Sequence, residues 1–242
     1  MIIFNAGVPR SGTVYVNAII RHLIGGPVVQ ANPHGPELFP TVEQLVGEGN
    51  TRVIPAIVHT HSWDPSTSAL VRQHEDIVGF LNYRDPRDAC VSMMKMHDLS
   101  FDEAVSEIVE CYSLFEETGV ETGWLLIRYE NLVTNPVQVV SSIASELGLE
   151  RSIEAISSAL EASSLDRHRA VMQAVADGRQ PSIRRRKNRY RTLHEDAETL
   201  ITDRHIQSGA IGRWRTELRP DECQYLDQCF APLLGRYGYP RE

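Results

Sequence analysis

Short apolar runs alternate with helix-period stretches along the chain, and that alternation sets the expected architecture. Ile2 to Ala6 reads as a strand entered almost at the first residue, and Ile77 to Tyr83 and Trp124 to Tyr129 read as short buried strands. Arg52 to His59 reads as another, with Pro55 weakening its interior and pointing to an irregular or edge position. After the first strand, Val16, Ile19, Ile20, Leu23 and Ile24 recur at helical spacing until Gly25-Gly26-Pro27 stops the pattern. Strands separated by helices predict an α/β fold of three layers, a central mostly parallel sheet covered on both faces.

The helix ends carry their own signals. Asp85-Pro86 and Asn135-Pro136 each offer a cap followed by proline at the first helical position, and Ser100 with Glu103 matches a capping box. Val140, Ile143, Ala144 and Leu147 supply a buried stripe that Gly148 ends, and Leu226, Cys229, Phe230 and Leu233 form an apolar face near the C-terminus. Gln173 to Glu198 has few apolar residues and reads as a surface excursion. The 242 residues, 42% of them hydrophobic, are expected to form one domain over 1–242.

Charge narrows the partners. With 24 Lys and Arg against 32 Asp and Glu the net charge is −8, so any site for a multiply charged anion must be a local positive pocket on an acidic body. The run Arg184 to Arg191 reads as a solvated loop, or as a lid or anionic acceptor site; the acidic whole argues against nucleic acid. Four cysteines with no CxxC pair fit a reduced compartment. The N-terminus lacks a cationic leader, and no apolar run approaches the ~20 residues that span a bilayer, so a cytoplasmic protein with no membrane partner is expected.

The turn Gly7-Val8-Pro9-Arg10-Ser11-Gly12-Thr13 carries the chemistry. A strand, a glycine-bearing turn and an amphipathic helix point free backbone N–H groups at an anion, and the helix dipole adds to the attraction. Ser11 and Thr13 bring hydroxyls, and Arg10 a fixed cationic fork. Gly7 and Gly12 have the spacing of the nucleotide-triphosphate loop, but Thr13 and Val14 stand where its Lys and Ser/Thr belong. A magnesium-nucleotide site is disfavoured, although a kinase-like phosphoryl-transfer protein of the same broad fold stays as the alternative.

Four segments in order resemble the sulfotransferases that use 3′-phosphoadenosine 5′-phosphosulfate. Pro9 to Tyr15 is similar to the family's 5′-phosphosulfate loop. Arg84 to Ser92 is similar to its 3′-phosphate segment, with an Arg at a strand end and a Ser eight residues on. Arg128-Tyr129-Glu130-Asn131-Leu132 resembles a strand end whose tyrosine lies near the adenine. Gly209-Ala210-Ile211-Gly212-Arg213-Trp214 resembles the GxxGxW segment that closes over the 3′-phosphate. The resemblance implies a donor site of Arg10, Ser11, Gly12, Thr13, Val14, Tyr15, Arg84, Ser92, Tyr129, Ser208 and Gly209, built on a P-loop-like phosphosulfate-binding turn. The chain departs where the family often has Arg-Lys, here Gln207-Ser208; Arg204, Arg213, Arg215 or nearby backbone N–H groups are the replacements considered.

His59-Thr60-His61 stands where the family has Lys-Thr-His, which implies His61 as the catalytic base with Arg10 beside the transferred group; His59 is the reserve. Histidine titrates near neutral pH, which suits removing a proton from a hydroxyl or amine as it attacks sulfur. Nothing in the sequence demands a metal, and none is expected. The acceptor, a small molecule or a glycan, has no transferable motif, and Trp63 and Trp124 are either pocket walls or plain core.

Overall fold

The computed structural model describes residues 1–33, 35–47, 54–74, 76–187, 192–204 and 208–242. Residues 52 and 53 of the second expected strand, Asn188 to Arg191 of the basic run, and Gln207 lie outside them. The strands are β1 Ile2–Gly7, β2 Val29–Ala31, β3 Ala56–Thr60, β4 Ile77–Tyr83, β5 Leu125–Arg128, β6 Ile183–Lys187 and β7 Thr192–Asp196. The first helices are α1 Thr13–Ile24, α2 Leu38–Gly47, α3 Pro65–Arg72, α4 Pro86–His97, α5 Phe101–Thr122 and α6 Tyr129–Thr134. They are followed by α7 Pro136–Glu146, α8 Ile153–Ala162, α9 Leu165–Ala176, α10 Trp214–Glu217, α11 Pro220–Cys229 and α12 Ala231–Arg236. The chain divides into two compact units, Met1–Tyr83 with Ser113–Arg167, and Arg84–Tyr112 with His168–Glu242.

The first unit holds the five-stranded sheet, in the order β2-β3-β1-β4-β5, and every pair in it is parallel. Side-chain alternation along β1 sends Ile3 into a core with α1, α7 and α8, and Ile2 and Phe4 into a second core with α2 and α3. Three layers follow directly from burying both faces of a parallel sheet. The helix signals at α1 hold: Gly25 takes a left-handed φ of 68° and its N–H closes on Arg21.

Some local expectations change. Pro55 does not weaken β3 or drive it to the edge, because it stands just before the strand, where its carbonyl accepts the Val29 N–H at 2.9 Å and no donor is missed. β3 pairs with β2 on one side and β1 on the other. β5, expected to be buried, is an edge strand and leaves Leu126 48% exposed. Pro136 does open α7, but Asn135 makes no side-chain cap.

In the second unit, Asp85 caps α4 by accepting the Arg87 N–H at 3.0 Å, and the Ser100–Glu103 box closes in both directions at the start of α5. Part of the 173–198 stretch pairs as two antiparallel strands, β6 with β7. Leu193, Glu195 and Asp196 are buried in it, and Arg184 binds Glu195 at 2.6 Å. The apolar face after Leu226 is shared by two helices, since Pro232 has no N–H to continue α11.

The tightest approach inside the sheet tests the packing. A Cβ on Gly79 would fall 1.9 Å from Trp124 Cδ2, so the indole occupies the space a side chain there would need. Gly79→Ala is expected to lower the thermal unfolding midpoint by roughly 3–10 °C through overpacking. Gly235→Ala, with nothing within 4 Å of its Cβ, should leave the midpoint within a degree or two.

Candidate functional site

The turn between β1 and α1 is built at the carboxyl end of the sheet, where parallel strands of this kind present ligands. It starts with a close approach. A Cβ on Gly7 would lie 2.4 Å from the Asn82 carbonyl oxygen, and the Val8 N–H donates to that oxygen at 3.0 Å. Arg10 then takes φ 71° and Gly12 φ 87°. The left-handed conformation at an arginine is strained, and strain of this sort concentrates at functional sites.

The Ser11 side chain is fully buried, and both its N–H (3.2 Å) and its hydroxyl (2.6 Å) donate to the Val8 carbonyl. Ser11 therefore closes the turn from within. Thr13 and Val14 are buried as the first residues of α1, with the helix N-terminus facing the turn. The Tyr129 ring sits over Gly12, its Cδ2 3.0 Å from where a Cβ would stand. Burial first, then the neighbouring Tyr129, pushes the Tyr15 phenol up.

His61 joins this group from the end of β3, with its Nδ1 2.7 Å from the Gly7 carbonyl oxygen. A carbonyl only accepts, so Nδ1 carries the hydrogen and Nε2 of the neutral ring keeps its lone pair. His59, buried, has Nδ1 3.0 Å from Asn32 Oδ1, and its ring meets that of His61 edge-on at 5.1 Å. The first unit thus brings together Gly7 to Tyr15, Tyr129 and both histidines.

The second unit carries the other expected residues. Arg84 is 4% exposed, with Nη2 shared between the Ala210 carbonyl at 2.7 Å and Asp88 at 3.3 Å. Tyr112 donates its hydroxyl to the Arg84 carbonyl. Asp88 also accepts the N–H groups of Gly212 at 2.7 Å and Trp214 at 3.2 Å, so one buried carboxylate ties the 210–214 segment to α4. Ser92 is buried on α4; Ser208 is exposed and accepts the Ala210 N–H. Gly209 takes φ 72°. The three arginines considered as replacements all have carboxylate partners: Arg204 with Asp98, Arg213 with Glu217, and Arg215 with Glu242.

A model of the sulfotransferase domain matches residues 2–238. The chain belongs to the sulfotransferase family. No curated protein sequence matches this sulfotransferase. Among solved structures it is similar to the mouse sulfotransferase SULT7A1 complexed with PAP, at 18% identity and a TM-score of 0.64, covering 96% of this chain and 84% of the other. It is also similar to retinol dehydratase in complex with androsterone and inactive cofactor PAP, at 17% identity and a TM-score of 0.60, covering 96% and 80%. At these identities the likeness is one of fold.

The sequence reading missed residues of this sulfotransferase that hold others in place. Asp88 was visible within the Arg84–Ser92 segment, yet nothing in its spacing announces bonds to Gly212 and Trp214, more than a hundred residues away. Asn5 and Asn82, buried polar residues inside apolar strands, are a signal the sequence does carry. Asp88→Ala should cost about 3–5 kcal/mol in chemical denaturation, because it strips the buried Arg84 guanidinium of its carboxylate and releases two N–H groups. An unchanged midpoint would mean the 210–214 segment is held by other contacts.

Among the described residues, no helix is long and apolar enough to cross a membrane.

Proposed function

We propose that this sulfotransferase moves a sulfuryl group from 3′-phosphoadenosine 5′-phosphosulfate to a hydroxyl or amine of a small-molecule or glycan acceptor, with His61 as general base. The observation that carries the reading is the hydrogen bond from His61 Nδ1 to the Gly7 carbonyl. It tethers an imidazole to the β1–α1 turn, and Nε2 is assigned the role of proton acceptor.

In the proposed step the acceptor heteroatom forms a bond to sulfur as the bond from sulfur to the phosphate oxygen breaks. The acceptor proton passes to His61 Nε2, and adenosine 3′,5′-bisphosphate leaves. Arg10 and the N–H groups at the start of α1 stabilise the charge that gathers on the departing and equatorial oxygens. Ser11 serves by holding the turn closed. Tyr15 and Tyr129 offer faces for the adenine. Arg84, Ser92 and the backbone at Ser208 and Gly209 are assigned the 3′-phosphate; the pairing of Arg204, Arg213 and Arg215 with carboxylates favours backbone donors over a replacement cation there. Small hydroxyl-bearing molecules, of the kind named with retinol dehydratase, are the first acceptors to screen.

Adenosine 3′,5′-bisphosphate at a hundred times its Kd should stabilise the protein by about 2.7 kcal/mol, a rise of several degrees in thermal unfolding. Stabilisation by ATP with magnesium instead would sink the donor assignment. With an acceptor found by screening against labelled donor, His61→Ala should reduce transfer at least a hundredfold while the bisphosphate still binds. Near-normal transfer by that variant would remove His61 from the mechanism.

A further inference from the structure

Two asparagines stand where a parallel sheet ordinarily buries apolar side chains. Asn5 on β1 and Asn82 on β4 are both fully buried. Asn82 Nδ2 donates to Asn5 Oδ1 at 2.7 Å and to the Ala6 carbonyl at 2.8 Å, and Asn5 Nδ2 donates to the Thr13 carbonyl at 2.7 Å. The direction of the bonds is fixed: Asn82 Nδ2 faces a carbonyl, and so does Asn5 Nδ2, which makes each amide orientation unambiguous.

These bonds join both ends of the turn. Its entrance is held by the Val8 N–H on the Asn82 carbonyl, its middle by Ser11 on Val8, and its exit by Asn5 on Thr13. Asn82 thus grips the entrance with its backbone and the exit through the Asn5 amide. Packing alone does not call for this arrangement. Asn82 Oδ1 is buried with no hydrogen-bond partner among the described residues, a net cost that an apolar pair at the same positions would avoid.

We infer that Asn5 and Asn82 are positioning residues for the anion-binding turn, holding the first N–H groups of α1 and the strained Arg10 in the geometry that receives the donor's 5′ group. The inference rests on the donor reading above. The pair bonds the backbone at both ends of the turn, so its influence runs through the placement of Gly12, Thr13 and Val14. Such a clamp orders the site before the donor arrives, and its loss falls on the 5′ end of the ligand alone.

Calorimetric titration of the full chain with two ligands tests this: adenosine 3′,5′-bisphosphate, and adenosine 3′-monophosphate, which lacks the 5′ group. The wild type is expected to prefer the bisphosphate. Asn5→Ala should lower that preference about tenfold while affinity for the monophosphate changes less than twofold. Asn82→Ala, which keeps the Asn5–Thr13 bond and the backbone grip on Val8, should lower it less, and a fold check by thermal unfolding accompanies each variant. If Asn5→Ala destabilises the fold too far to titrate, Asn82→Ala carries the test alone, and a folded Asn82→Ala variant with wild-type preference overturns the inference. Equal losses for both ligands also overturn it, since that is what a purely structural role would give. A wild type that binds neither ligand overturns the donor reading itself, and is distinguishable because no variant is then needed.

Discussion

The contact between Gly7 and Asn82 constrains more of the candidate site than any other. With 2.4 Å between the place a Cβ would occupy and the Asn82 carbonyl, the end of β1 can lie against β4 only if residue 7 has no side chain. The Val8 N–H then reaches that carbonyl, and the Gly7 carbonyl accepts from His61 Nδ1. A single residue therefore sets the start of the β1–α1 turn and the orientation of the imidazole. Its glycine is required by space and not by dihedral angle, whereas Gly12 is required by a positive φ.

The second unit solves a comparable problem with charge. A carboxylate as buried as Asp88 is costly unless its lone pairs are filled, and it fills them with the Arg84 guanidinium and two backbone N–H groups from the 210–214 segment. The same segment is braced at Trp214, whose ring has the guanidinium of Arg87 4.0 Å from its centroid and that of Arg215 4.3 Å away. Arg87 in turn is held by Asp85 and Asp227, whose carboxylates outweigh its burial and push its pKa further up. In this unit Arg84 fixes backbone through the Ala210 carbonyl, while Arg87, Arg213 and Arg215 are each paired with a carboxylate.

How much of this was legible depended on whether the cause was local. The strand–turn–helix of residues 2–24 is written in adjacent residues: apolar alternation, two glycines at the turn, a helical stripe, and Gly25 at its end. Ile77 to Tyr83 was read to the residue for the same reason. The place of Pro55 is not legible locally, because the cost of proline depends on whether a neighbour wants its N–H, and the strand that answers, β2, lies far off in the chain at Val29–Ala31. Leu126 looks like core in one dimension and is at an edge in three. The roles of Ser11 and Asp88 were invisible in a stronger sense, since each depends on which backbone group the fold brings within 3 Å. Residue type announces that a serine can donate; only geometry says that it donates to Val8.

That distinction bears on how the turn is read. A loop of backbone N–H groups binds anions generically, and the glycine spacing at 7 and 12 is shared with loops that hold nucleoside triphosphates. What separates this turn is what surrounds it: Thr13 and Val14 supply neither the lysine nor the magnesium-holding hydroxyl, and an imidazole is tied to its first carbonyl. On the proposed reading, a proton acceptor at that place has a use when the attacking group must lose a proton as a charged leaving group departs. A loop whose task was only to hold a nucleotide would have no need to orient Nε2. The Asn5–Asn82 pair bears on the turn's order and not on proton transfer: a buried acceptor without a partner among the described residues is tolerated where the order it imposes is worth more than the hydrogen bond it forgoes.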